Sequence, residues 1–207
     1  MTQTKLNLVL MVGAGAILLG SGCSGERDDV GIVNRDLPQI PLAQNLPVGA
    51  SCVPGDLWDP EFSNFGAEEV NVEVHSSQCA SGVCLVHHFQ GRPDCPYGQA
   101  APEDPNQFES PPCALPDGRA RVATAVKPQL VDRRPEDAIL CSCHCAGPEG
   151  TGPFCQCPSG FECAPVIDFT FGEFDELAGS YCIKAGTIYT GVTSESCDWE
   201  TQSCGPG

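Results

Sequence analysis

Fifteen cysteines in 207 residues dictate what this chain can become. Thiols at that density are either oxidised in pairs or held on metal. An odd number cannot pair completely, so one cysteine needs a separate fate. The chain also holds 23 Gly and 19 Pro, about a fifth of its length. Both residues interrupt helices and leave little apolar surface for a core. The expected fold is therefore small and disulfide-rich: mostly β-hairpins and loops with little helix, in a single stapled domain. A formal net charge of −17 excludes a nucleic-acid binder, which needs a basic surface to displace counterions from phosphate. Gly shows no period of three, which excludes collagen.

The N-terminus reads as an export signal. Lys5 is the only charge before Glu26, and Leu6 to Gly20 is an apolar run of 15 residues. A transmembrane helix needs roughly 20. A positive start, an apolar middle and small residues at the boundary describe a signal peptide, here 1–22. The boundary Leu19-Gly20-Ser21-Gly22-Cys23 resembles the lipobox of bacterial lipoproteins, with Gly20 where the usual pattern has Leu. The resemblance implies that Cys23 becomes the first mature residue, with fatty-acyl (palmitate-class) chains on its sulfur and amine. Each buried methylene contributes about 0.8 kcal/mol, so several chains anchor firmly to a membrane. Ser24, in place of Asp, implies sorting to the outer membrane of a Gram-negative-type envelope, on its periplasmic or its surface side. An uncleaved anchor, or plain secretion with Cys23 in a disulfide, are the alternatives.

Lipidation would also resolve the parity. Without Cys23, fourteen cysteines remain for seven disulfides: Cys52, Cys79, Cys84, Cys95, Cys113, Cys141, Cys143, Cys145, Cys155, Cys157, Cys163, Cys182, Cys197 and Cys204. Residues 23–51 read as a lipidated N-terminus and flexible tether, with Pro38, Pro41 and Pro47 and no sustained periodicity. An arm packed through Ile32, Ile40 and Leu42 is the other reading. Residues 52–204 form the stapled domain. Five cysteines lie between Cys52 and Cys113 and nine between Cys141 and Cys204. Both numbers are odd, so complete pairing needs at least one bridge between the halves.

Alternation at Val70, Val72 and Val74, then Val83 to Phe89 after a turn, predicts a hairpin. Arg119–Val126, Ala138–Cys145 and Ser180–Lys184 are further strand candidates. Phe171–Leu177 predicts one helical turn, and the Pro-rich segment Pro93–Asp117 a loop.

The densest chemistry is CSCHCAGPEGTGPFCQCPSGFEC, 141–163. In a strand, alternate cysteines point the same way about 6.6–6.8 Å apart. That geometry opposes closure, so neighbours within each C-x-C should bond elsewhere. Cys155-Gln-Cys157-Pro-Ser-Gly160-Phe161 resembles the end of EGF-like modules and implies a turn there. CASGVCLV, CSCHCA, CQCPSGF and LAGSYCIKAGTIY together resemble Cys-rich lipoproteins of myxobacterial-type bacteria, a likeness that brings no activity with it.

His144 among three cysteines, with His87 and His88, raises zinc or copper ligation as the alternative. Asp56, Asp59, Glu61, Asp168, Glu173, Asp175 and Glu176 raise calcium. Export favours disulfides over thiolates. His87 and His88 read as two surface histidines on opposite sides of a strand. Basic residues gathered between Arg92 and Arg134 read as a solvated patch able to meet an acidic partner. No G-x-S-x-G, H-E-x-x-H or Walker loop occurs, so no catalytic residue, cofactor or enzyme activity is assigned; a hydrolase built on the histidines is the remote alternative. The sequence thus predicts an envelope lipoprotein with a binding or structural domain, in contact with the membrane and with a protein or glycan partner.

Overall fold

The computed structural model describes residues 45–101, 113–148, 152–168, 177–191, 195–198 and 200–205. The signal segment, Cys23 and most of the tether lie outside them, as do Ile32, Ile40 and Leu42. Two three-stranded antiparallel sheets carry the fold. The first has the order β1 (Val70–Val74), β2 (Val83–His87), β3 (Ile139–Ser142). The second has the order β4 (His144–Ala146), β6 (Gly179–Lys184), β5 (Phe161–Ile167). A single helical turn, α1 (Pro135–Ala138), leads into β3. The fold is thus disulfide-rich and mostly small β-sheet. No helix among the described residues is long and apolar enough to cross a membrane.

The predicted hairpin forms as β1–β2, with Val72 opposite Leu85. Strand β2 is central and has neighbours on both faces, which explains its nearly continuous apolar run. Its side chains alternate between two cores. Cys84 and Val86 join Leu57, Phe65, Phe89, Ile139 and Cys141 on one side. Leu85 and Val83 join Val70 and Val72 on the other, where they meet Ala164, Tyr181 and Ile183 of the second sheet. A third, smaller cluster holds Val122 and Val126 beside Cys95 and Cys113.

Several expectations need correction. The tether ends earlier than residue 51. Leu46 bridges to the Cys79 segment through its N–H to Gln78 O and its carbonyl to the Ala80 N–H, both at 2.8 Å. Gly49 N–H donates to Cys141 O (2.8 Å), and Cys141 N–H to Ala50 O (2.7 Å). This arm therefore covers the outer edge of β3, whose unpaired backbone would otherwise be exposed. Arg119–Val126 is not a strand; it makes only isolated β-bridges, at Arg121 and Val126. The Gln99 side chain takes its carbonyls instead, donating to Val122 O (3.1 Å) and Thr124 O (2.6 Å). The predicted strand Ala138–Cys145 breaks into α1, β3 and β4, with Cys143 at the junction. Pro135 and two acids in the first turn favour the helical start. Strand β5 is not among the sequence expectations; it contains Pro165 and lies at a sheet edge, where a residue without N–H is tolerated. The helical turn expected over Phe171–Leu177 lies largely outside the described residues.

Candidate functional site

All fourteen cysteines from Cys52 to Cys204 are paired. The bridges are Cys52–Cys84, Cys79–Cys141, Cys95–Cys113, Cys143–Cys155, Cys145–Cys163, Cys157–Cys182 and Cys197–Cys204. No C-x-C neighbours bond to each other. Cys79–Cys141 is the link between the two halves of the domain.

The sulfurs fall into two groups. Cys52, Cys79 and Cys141 have their Sγ atoms within 4.8 Å of one another, inside the first core. The second group coats the outer face of the β4–β6–β5 sheet. Tyr181 and Ile183 of β6 face the core, so Cys182 between them faces out, beside Cys163 across the ladder. Cys182 Sγ lies 3.7 Å from both Cys143 Sγ and Cys155 Sγ. These sulfurs are already bonded in pairs and carry no hydrogen, so the contacts are van der Waals packing. Cys145, Cys157 and Cys163 form a second triad within 4.8 Å. The Cys157–Cys182 bridge joins the two triads. Ligation through cysteine requires the thiolate, so these sulfurs could hold an ion only after reduction.

The turn implied by the EGF-like segment is present: Phe161 N–H donates to Pro158 O at 3.1 Å, and Gly160 takes a left-handed φ of 86°. His144, between two of the cysteines, is not directed at them as part of a ligand set. Its ring stacks on Tyr181 at 5.0 Å and meets Phe154 edge-on. Its Nε2 is buried without a hydrogen-bond partner. Burial pushes the Tyr181 hydroxyl up to about 12.

The histidine pair departs most from expectation. His87 is buried, with 5% of its surface exposed. His88 takes a left-handed φ of 52°, which ends strand alternation and brings the two rings to 4.7 Å. Arg133 organises the group. Its guanidinium donates to His87 O (2.6 Å), His87 Nδ1 (2.9 Å), His88 O (2.8 Å) and Thr187 O (2.7 Å). It also packs over the Tyr189 ring, which stacks on His88 at 4.3 Å. Because Arg133 donates to Nδ1, that nitrogen must accept, and the His87 proton sits on Nε2. Burial first, then the His88 and Arg133 charges, lower the His87 pKa to about 3. Burial likewise lowers His88, against the opposing pull of its bond to Ala67 O. Both rings thus resist protonation. They brace the end of β2, where the guanidinium of Arg133 holds both of their carbonyls.

Arg133 also lines a cleft of about 180 Å³ with Leu130, Asp132, Asp137, Thr187 and Tyr189. Asp137 of its lining forms an ion pair with Lys184. Small-molecule pockets are generally larger, about 300–1,000 Å³, and predominantly apolar.

The expected basic patch is split. Arg92, fully buried, donates to Leu57 O (2.6 Å) and Phe62 O (2.7 Å) and pairs with Asp94 at 3.5 Å. Arg133 is buried as above, whereas Arg134 stays at the surface beside Glu136. Two of the carboxylates considered for calcium have local partners. Asp59 accepts the Glu61 N–H at 2.8 Å, and Asp56 accepts from Asn71 at 3.2 Å. Asp168 is exposed; Glu173, Asp175 and Glu176 lie outside the described residues. No family model, no curated protein and no solved structure matches this chain.

Proposed function

We propose that this chain is an exported lipoprotein, held at the cell envelope by acyl chains on Cys23, whose disulfide-braced domain serves binding or structure and not catalysis. The pairing carries the reading. Fourteen of the fifteen cysteines are used in seven bridges, and the one left over is Cys23. It follows an apolar segment at a lipobox-like boundary, where lipidation would account for an unpaired sulfur. Seven bridges also fit an oxidising compartment outside the cytosol. The membrane in question is the outer membrane of a Gram-negative-type envelope. The partner is a protein or glycan met through surface contact, a reading supported by a cross-linked loop scaffold that leaves side chains free for contact.

Intact mass of the natively exported protein, before and after reduction and alkylation, tests both halves. The expected result is a chain starting at Cys23 with added acyl mass, with no alkylation before reduction and fourteen alkylated cysteines after it. A mature chain starting elsewhere without acyl mass refutes the anchor. Reactive thiols before reduction, with stoichiometric zinc or copper, would favour the metal-binding alternative.

A further inference from the structure

We propose that Cys143, Cys145, Cys155, Cys157, Cys163 and Cys182 form a thiol–disulfide exchange relay, opened by an external thiolate at Cys163. This is independent of the lipid anchor and rests on the placement of six sulfurs. They form an unbroken series: the 145–163 bridge lies beside Cys157, Cys157 is bonded to Cys182, and Cys182 touches both sulfurs of the 143–155 bridge. One end reaches solvent, because Cys163 is exposed and Cys145 half-buried. Cys182 in the middle is fully buried. Exchange proceeds by attack of a thiolate on a disulfide sulfur and depends on access as well as on proximity.

The steps balance without net oxidation or reduction. A small-molecule thiolate such as glutathione attacks Cys163 Sγ. A mixed disulfide forms, the 145–163 bond breaks, and the electron pair leaves on Cys145. The Cys145 thiolate, within 4.8 Å of Cys157 Sγ, attacks it. A 145–157 bond forms, the 157–182 bond breaks, and Cys182 becomes the thiolate. Cys182 then has two targets at 3.7 Å. Attack on Cys155 would expel a thiolate on Cys143, which is only 8% exposed. Attack on Cys143 expels it on Cys155, which is more open to solvent. Burial disfavours the anion on Cys182 as on Cys143, so the Cys182 thiolate is short-lived, Cys143 is its target and Cys155 carries the thiolate out. One thiolate enters at Cys163 and one leaves at Cys155. Holding each nucleophile next to its target makes both internal steps unimolecular.

The other sulfur group is a built-in control. Cys52, Cys79 and Cys141 are equally close to one another, yet they and Cys84 are all buried, so an external thiolate has no point of attack. The test treats the full-length oxidised protein with reduced glutathione at pH 8, then quenches with acid and alkylates at low pH. The linkages are mapped by fragmentation mass spectrometry without reduction. The expected early products carry glutathione on Cys163, alkyl on Cys155, and new 145–157 and 143–182 links. Cys79 and Cys141 should react at least tenfold more slowly. In a Cys145→Ser/Cys163→Ser variant, Cys155 labelling should fall at least tenfold. Alkyl confined to Cys145 or Cys163, or cluster labelling no faster than that of Cys79 and Cys141, overturns the relay. So does unchanged Cys155 labelling in the variant. Should the variant fail to fold, the linkage map of the wild-type protein decides alone.

Discussion

Replacing His87 by Asn should remove a specific part of the acid sensitivity of this fold. The Asn amide oxygen offers Arg133 an acceptor in place of Nδ1, which lies 2.9 Å from the guanidinium, but it cannot titrate. The folded His87 stays neutral down to about pH 3, mainly through burial. In the unfolded chain an ordinary histidine takes up its proton near pH 6.5. Between these values the unfolded state binds the extra proton, so stability rises with pH. The contribution is fully present above pH 6.5 and is lost as pH falls toward 3. His87 is 5% exposed, so solvent screening takes little away. The linkage relation then gives a loss of about 3 kcal/mol between pH 7 and pH 4 from this one residue. Guanidinium unfolding with the disulfides intact, followed by Trp fluorescence at both pH values, measures it. Other groups titrate in both proteins, so the quantity to read is the difference of differences. The wild type should lose about 3 kcal/mol more than the variant over that range. Equal losses would refute the assignment of His87 as a buried, proton-refusing brace.

Three further outcomes follow from the packing. Gly179→Ala places a Cβ 2.3 Å from His144 Nε2 and 2.4 Å from Ala146 O at a φ of +136°; the backbone must move, and thermal unfolding should show a loss of about 2–4 kcal/mol. Arg133→Lys keeps the charge but not the planar fork that reaches three carbonyls, so stability should fall by about 2–4 kcal/mol, and hydrogen exchange should rise first at 187–190. Deleting bridges as Cys→Ala pairs should rank by loop length: Cys79–Cys141 spans 62 residues and Cys197–Cys204 spans 7, for losses of about 4 and about 2 kcal/mol by chain entropy. Denaturant midpoints that fail to separate the two variants would count against chain restriction as the main effect.

What could be read from the sequence followed from rules of short range. The Val70, Val72, Val74 alternation and the apolar run after it specify the β1–β2 hairpin, because strand period and turn residues act locally. The ban on pairing within C-x-C is also local geometry. The parity of five and nine cysteines required a cross-link between the halves, but only three-dimensional register could choose Cys79 and Cys141 for it. Arg133 and His87 were misread for a related reason. Charge placed both at the surface, yet each satisfies the other: the guanidinium needs carbonyl acceptors where β2 ends, and His87 needs a donor for Nδ1. That mutual arrangement depends on Thr187 and Tyr189 arriving from a segment more than fifty residues away in sequence, which no window along the chain contains. The same holds for the six-sulfur series. Spacing marked 141–163 as dense in cysteine, but the sulfur that joins the two triads is Cys182, brought in by β6 through its ladder with β5. The sulfur series proposed as a relay is thus set by strand pairing, and the motif alone supplied only its raw material.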